Sequence, residues 1–156
     1  MALACAFAVV LAGCASMPGQ IDEEAEQANA NRQYMAQLNS EMADLQQVMD
    51  DFQVAVSERN TVAMRAQTQK ADRIIADIDA SEPTEKLADA KDLYVDALTT
   101  LNDAMKDYAD LYMQVENSGI DAEELEQRVE EVQSAYDEGV EKLQAADEAV
   151  AALAQG

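Results

Sequence analysis

The sequence predicts an all-α protein, an antiparallel bundle of about four helices with coiled-coil-like seams and no β-sheet. Three observations predict this fold class. The chain is rich in Ala, Leu, Glu and Gln, it holds only five Gly and two Pro in 156 residues, and its apolar residues recur at alternating spacings of three and four. Aromatic residues make up only 4% and Trp is missing, so few of the side chains that favour strands are present.

Capping residues and helix breakers divide the chain after residue 20 into helices. Asn60 or Thr61 can cap the second helix, and Ser81 can cap the third, with Pro83 in its first turn, where proline is tolerated. Gly119 predicts a left-handed stop after the third helix. The predicted helices span residues 21–58, 61–80, 83–117 and 122–154.

Apolar seams run along these helices. The third helix has apolar residues at heptad-type positions, namely Leu87, Ala90, Tyr94, Ala97, Leu101, Ala104, Tyr108, Leu111 and Val115. The fourth helix repeats the pattern from Leu125 to Leu153 and begins with a capping box of Asp121 and Glu124. Short connections make neighbouring helices antiparallel. Residues 21–33 have few apolar contacts and are expected to form a partly solvated stalk.

Unequal helix lengths predict an exposed tip. At about 1.5 Å per residue, the third and fourth helices outrun the second by on the order of 20 Å. Counting back from Pro83 puts Asn102 level with the turn at Asn60, so residues 103–136 are expected to project as a two-helix hairpin. An exposed apolar patch usually marks an interface, and the candidate partner surface is Tyr108, Tyr112, Val115, Leu125 and Val129. Alternatively, the first helix or a kink at Ser81 to Pro83 shifts the register and covers these residues.

Charge and composition exclude several functions. The chain has 32 acidic and 10 basic residues, a net charge of −22, and no His. Without a basic run it cannot neutralise phosphates, so nucleic acid is not an expected partner. Without His, Ser-His and Cys-His nucleophiles and nearly all zinc or di-iron sites are ruled out. We expect no catalytic residues, no metal and no cofactor, and therefore a protein that is not an enzyme.

The N-terminus is an uncharged apolar stretch that is too short to cross a bilayer, since a spanning helix needs about 20 residues. It ends in Leu11-Ala12-Gly13-Cys14, and here the sequence resembles the signal peptide of a bacterial lipoprotein. The resemblance covers about the first fifteen residues. No basic residue precedes the apolar stretch, which departs from the usual pattern of a signal peptide.

This resemblance implies an anchored protein outside the cytoplasm. Residues 1–13 would be the signal peptide, with Leu11, Ala12 and Gly13 as signal peptidase recognition positions, and Cys14 would carry the lipid. Residues 14–20 would then link the anchor to the acidic bundle, 21–156. The protein would lie in the bacterial cell membrane or, since Ala15 is no retention signal in Gram-negative lipoproteins, in the outer membrane of such a host. The alternative is that residues 1–16 form a buried helical turn in which Cys14 is a small core residue.

Two functions are consistent with this sequence. The first is a membrane-anchored envelope lipoprotein that acts as a non-enzymatic interaction or structural module, through an envelope protein or by self-association. The second is a carrier of a small ligand or peptide in a Tyr-lined slot between the two long C-terminal helices. Such a slot would be opened by the small residues of the seam, Ala90, Ala97, Ala104 and Gly139. An apolar cavity favours the carrier, and a tightly filled seam favours the interaction module.

Overall fold

A computed structural model describes residues 21–117 and 119–155. The expected signal peptide, Cys14 and the linker up to residue 20 lie outside the described residues. The described chain forms four helices and no strand, which confirms the predicted all-α bundle. They are α1 (Ile21–Ser57), α2 (Thr61–Ala80), α3 (Glu85–Glu116) and α4 (Ala122–Gln155), and each begins and ends within two residues of its predicted bounds.

The turn between α1 and α2 contains a residue with an unusual backbone conformation. Arg59 has a φ of 56°, in the left-handed region that normally favours glycine. Its N–H donates to the Val56 carbonyl at 3.1 Å, and the N–H of Asn60 donates to the Ala55 carbonyl at 2.9 Å. This is the Schellman pattern of a helix C-terminus. Asn60 then caps α2, because its Oδ1 accepts the N–H of Ala63 at 3.0 Å.

The connection between α2 and α3 differs from its prediction. Ser81 does not cap α3; it ends α2, and both its N–H and its hydroxyl donate to the Ile78 carbonyl. Ser81 and Thr84 have extended backbone, with ψ of 146° and 158°, and α3 starts only at Glu85. Pro83 lies inside this connection, and a proline disfavours helical conformation at the residue before it, which here is Glu82.

The turn between α3 and α4 also differs from its prediction in part. Gly119 does not have the left-handed backbone expected of it. Instead, the Asn117 side chain donates from Nδ2 to the Met113 carbonyl at 2.8 Å and ends the helix. Asp121 caps α4 as predicted, its Oδ1 accepting the N–H of Glu124 at 3.0 Å.

Each helix packs antiparallel against the next one along the chain, α1 on α2, α2 on α3 and α3 on α4. Most of the core forms a stalk-end cluster that draws on all four helices. Its buried members are Tyr34, Leu38, Leu45, Val48, Ala71, Ile75, Ile78, Leu87, Tyr94, Leu98 and Ala146. A smaller tip cluster lies near the turn between α1 and α2. Its buried members are Phe52, Ala55, Met64, Met105 and Ala109.

The start of α1 extends past the rest of the bundle. Every described side chain from residue 23 to 30 is exposed, and the first buried side chain is Tyr34. The connection between α2 and α3 lies at this level, because Ser81 bonds to the Tyr34 hydroxyl and Thr84 bonds to Asn31. The segment therefore has the solvated character expected of a stalk.

The register between α2 and α3 contradicts the projecting hairpin. Asn102 does not lie level with the turn at Asn60, because its Nδ2 donates to the Thr68 carbonyl at 3.2 Å and to Asp72 Oδ1 at 2.7 Å. Farther up, Arg65 donates to Asp110 at 2.7 Å. The extended connection sets the start of α3 beyond the end of α2, which slides α3 back along its partner. As a result α2 covers α3 almost to its end, and only the turn between α3 and α4 and the helical turns beside it project.

Candidate interaction groove between α1 and α4

The two halves of α4 carry the same apolar pattern but are buried differently. In the stalk half, Ala146 is fully buried and its neighbours Leu143, Val150 and Leu153 pack against the stalk-end cluster. In the tip half, Val129 is 51% exposed and Tyr136 37% exposed. No residue of α4 belongs to the tip cluster, which is built by α1, α2 and α3. The apolar face of α4 is thus only partly covered at the tip.

An open apolar groove of about 380 Å³ lies beside this face, between α1 and α4. Residues of α3 form its floor, and no residue of α2 lines it. Its lining residues are Met49, Phe52, Gln53 and Val56 from α1, Ala104, Met105 and Tyr108 from α3, and Val132, Gln133 and Tyr136 from α4. We call this the α1/α4 groove.

The packing of α4 on α3 is tight. Ala97 and Ala104 of α3 are buried, and Gly139 lies directly against Leu101. A Cβ added to Gly139 would stand 2.7 Å from Leu101 Cγ and 3.0 Å from Leu101 N, so only glycine fits without displacement. The seam between the two long helices is therefore closed. The Tyr-lined slot expected there is not found among the described residues, and the groove that the structure contains has α1 as its second wall.

The five predicted surface residues do not form one patch. Tyr108 lines the groove and meets Phe52 edge to face, with ring centroids 6.2 Å apart. Tyr112 packs beside it against the tip cluster. Val115 and Val129 are exposed, and Leu125 is half-buried at the start of α4. Of the five, only Tyr108 lines the α1/α4 groove.

The wall formed by α1 was missed at the sequence level. Met49, Phe52 and Val56 belong to the regular seam of α1, so the pattern predicts core positions for them. Nothing in a single sequence says which of its seam positions lacks a facing helix. The mismatch between a continuous seam on α4 and its exposed tip half becomes visible only in three dimensions.

Acidic residues surround the groove on the α4 side. Between Ala122 and Glu141, α4 has eight acids and one base, Arg128, which is paired with Glu131 at 3.1 Å. A shallow depression on the outer face of α4 shares Gln133 with the groove. It is lined by Val129, Glu130, Gln133, Ser134, Asp137, Glu138 and Glu141. Gln133 donates from Nε2 to Asp137 Oδ1 at 2.9 Å, which turns its amide toward the acidic side.

Elsewhere the polar contacts join helices. Lys106 of α3 bridges to Asp72 of α2 at 2.8 Å and to Asp103 at 3.0 Å. The hydrogen bond with Asp72 raises the pKa of Lys106 above its ordinary value of 10.5, against the opposing effect of partial burial. Lys142 of α4 likewise contacts Glu138 and Asp96, and the pKa of Lys142 is raised, first by the Glu138 hydrogen bond and then by that of Asp96. These contacts hold neighbouring helices in register.

A buried tyrosine adds a further link between α3 and α4. The Tyr94 hydroxyl donates to Asp147 Oδ1 at 2.6 Å, with the ring in the stalk-end cluster.

Within the described residues, no group of three or more His, Cys, Asp or Glu side chains is arranged to hold a metal ion. None of the four described helices is long and apolar enough to cross a membrane.

The fold and the groove together define an acidic, antiparallel four-helix bundle with an apolar groove open at one end. Comparison of the chain with models of known protein families, with curated proteins and with solved structures finds no match in any of the three.

Proposed function

We propose that this protein is a lipid-anchored protein of the bacterial envelope that acts as a non-enzymatic interaction module, and that the α1/α4 groove is its docking surface. The observation that carries the proposal is the tip half of α4, where a continuous apolar seam faces an open groove. Contiguous apolar surface that a monomer leaves uncovered is typical of interaction sites.

The N-terminal sequence and the stalk support the anchored arrangement. Leu11-Ala12-Gly13-Cys14 is the lipoprotein-type motif, and lipid on Cys14 would hold the chain to the membrane, since each buried CH₂ contributes about 0.8 kcal/mol and two or more acyl chains anchor stably. The exposed residues 23–30 lie between that anchor and the bundle. Because the groove lies near the end of the bundle opposite the stalk, it would be on the membrane-distal part of the protein.

Site-specific crosslinking in the native envelope tests the docking surface. A photoreactive amino acid at Gln53, on the wall of the groove, is compared with the same amino acid at Gln69, which is exposed on α2 and lines no part of the groove. We expect a discrete crosslinked product from position 53 only, and we expect Val132→Asn to abolish it. Equal products from both positions, or none from position 53, would contradict the proposal.

A second candidate function is a carrier for a small apolar ligand or peptide. It is favoured by the volume of the groove, about 380 Å³, which lies in the range of roughly 300–1,000 Å³ typical of ligand pockets. The hydroxyls of Tyr108 and Tyr136 at its wall would orient a polar group on the ligand. Organic extraction of protein purified from native cells, followed by mass spectrometry, should release one compound in stoichiometric amount if the protein is a carrier. The Val132→Asn variant, purified in parallel, should then lack that compound.

A further inference from the structure

We infer that the α1/α4 groove binds a cationic amphipathic helix of a partner protein, an inference that rests on the docking function proposed above. Three properties of the groove support it: its shape, the kind of apolar side chains that line it, and the sign of the charge around it. The shape and the lining suit a helix, and the charge favours a basic helix over a second copy of the chain.

The shape of the groove matches a helix. Its α1 wall presents Met49, Phe52 and Val56, which span two helical turns, or about 10 Å. The opposite wall is α4, which runs antiparallel to α1, so the two walls form a channel along the bundle axis. A helix laid between them would present apolar anchors at positions i, i+3 or i+4, and i+7. The groove is open to solvent along one side, so a helix can enter it from that side.

The lining residues suit a helix packed face to face. Met49 is unbranched and only half-buried, so it can adapt to the side chains of a partner. Val132 and Tyr136 continue the seam that farther along α4 is buried in the stalk-end cluster. A docked helix would give the tip half of α4 the cover that the stalk half already has.

The charge around the groove selects a basic helix. Glu130 and Asp137 lie on the outer face of α4 next to the groove, and Asp50 is exposed on α1. A bound helix would turn its polar face outward, beside these carboxylates. Lys and Arg on that face would be attracted to these carboxylates and Asp and Glu repelled by them, and physiological salt weakens both effects over a screening length of about 8 Å.

The same charge disfavours a second copy. The chain has a net charge of −22, and pairing two tip halves would bring the eight acids between Ala122 and Glu141 of each copy together. Like-charge juxtaposition of this kind suppresses association. The occupant that the groove fits is therefore a different polypeptide with basic character.

A synthetic helix is the probe that tests this inference. A fluorescein-labelled peptide of about 18 residues, five turns long, carries Leu at the seam positions and Lys on the opposite face. Two peptides are its controls. One has the same composition in an order that destroys the apolar stripe, and the other has Glu in place of every Lys. Binding of each peptide to the complete mature protein is followed by fluorescence anisotropy. Helix formation by the peptide is followed by circular dichroism.

We expect the Lys peptide to bind the protein and gain helicity, and both controls to bind at least about tenfold more weakly. Val132→Asn and Tyr136→Ser should weaken binding of the Lys peptide about tenfold, because each removes an apolar contact from the centre of the groove. Val62→Asn is the matched control, since Val62 is 79% exposed on α2 away from the groove, and it should bind as the unchanged protein does. Equal thermal unfolding of the three variants verifies that the fold is retained.

Distinct outcomes would overturn the inference. Equal binding of the ordered and the disordered Lys peptides, insensitive to Tyr136→Ser, would mean general attraction of polycations to an acidic surface. Preferred binding of the Glu peptide that is lost in Val132→Asn would mean that the groove docks acidic helices. Concentration-dependent dimerisation that is lost in Val132→Asn would identify a second copy as the occupant. Failure of every peptide to bind would also overturn the cationic helix, while the crosslink from Gln53 in the envelope would still decide the docking function by itself.

Discussion

Gly139 is the residue on which the close approach of α3 and α4 depends. A Cβ there would stand 2.7 Å from Leu101 Cγ and 3.0 Å from Leu101 N, and the backbone atom cannot rotate away. Alanine gains helix propensity of about 1 kcal/mol over glycine, but overpacking costs about 1–3 kcal/mol. We therefore expect Gly139→Ala to lower the free energy of unfolding by about 1 kcal/mol in urea denaturation.

Gly119→Ala is the matched control for this prediction. At Gly119 the nearest atom to an added Cβ is the Gln114 carbonyl oxygen at 3.8 Å, which is an ordinary contact. The control should leave the unfolding midpoint nearly unchanged. A gain in stability from Gly139→Ala would mean that the helices can separate at no cost, contrary to the packing described above.

At position 59 the chain has an arginine where the backbone conformation suits glycine better. Its φ of 56° is unfavourable for a residue with a Cβ, whereas glycine adopts it freely. Arg59→Gly should raise the free energy of unfolding by up to about 1 kcal/mol. The comparison is Gln47→Gly in the exposed interior of α1, which should lower it by about 1 kcal/mol. A loss of stability in both variants would mean that the Arg59 side chain contributes more than its backbone costs.

Cys14 decides the anchoring part of the proposed function. Acylation of its thiol should send the protein to the membrane fraction of native cells, and Cys14→Ala should release it. Intact-mass measurement of the native protein should give a chain that starts at Cys14 and carries the added lipid. An uncleaved junction between Gly13 and Cys14, with an unmodified Cys14 thiol, would contradict the prediction.

At the scale of helices, the contacts between α2 and α3 set the register of the bundle. Lys106 and Asn102 of α3 both contact Asp72 of α2, and Asn102 is almost completely buried. A polar side chain that is buried in a seam specifies the alignment of its helices at some cost in stability. Here the Oδ1 of Asn102 is buried with no hydrogen-bond partner, so the cost is visible in the structure.

The raised pKa of Lys106 predicts a pH effect at alkaline values. Because the folded pKa exceeds the ordinary 10.5, the charged lysine stabilises the fold fully below that pH, and this contribution is lost as the pH rises through the folded pKa. The ion pair is partly exposed, so its worth is at most about 1 kcal/mol. Lys106→Met should lower stability at neutral pH and reduce the decline above pH 10.5, as measured by urea denaturation across the alkaline range.

Lys86→Met is the control for that experiment, since Lys86 is exposed near the start of α3. Lys86→Met should lose stability at alkaline pH to the same extent as the unchanged protein. If the free energy of unfolding of Lys106→Met and that of the unchanged protein fall in parallel as the pH rises, the contact with Asp72 contributes nothing to the pH dependence.

How far the sequence predicted these elements depends on whether the deciding interaction is local. Helix bounds and the caps at Asn60 and Asp121 follow from residues a few positions apart, and they were predicted within two residues. The register of α3 depends on the extended Ser81 to Thr84 connection, where the sequence pattern instead predicts Ser81 as a cap and Pro83 in the first turn of the helix. The groove is lined by residues of α1, α3 and α4 that lie far apart in the chain, so no local pattern predicts it.

For the whole molecule, charge is the dominant property. With a net charge of −22, carboxylates on neighbouring helices repel one another, and only some are paired with the ten basic residues. Salt screens this repulsion, and partial protonation reduces it. We expect the thermal unfolding midpoint to rise from low to moderate salt at neutral pH, and to rise again from neutral to mildly acidic buffer at low salt.

Sodium chloride and a non-ionic osmolyte of equal osmolality separate screening from general solvent effects. Only sodium chloride should raise the thermal unfolding midpoint between low and moderate concentration. An unfolding midpoint that does not change with added salt would mean that ion pairs such as Arg65 with Asp110 already balance the repulsion between helices.

The order of packing, each helix against the one before or after it, bears on how the chain reaches its fold. No long segment must be closed into a loop before a stabilising contact can form, so the entropy lost at each step is small. Proteins dominated by such local contacts fold in microseconds to milliseconds. The helices can therefore assemble in chain order: α1 pairs with α2, α3 then packs on α2, and α4 packs along the small-residue face of α3 from the turn at Asn117.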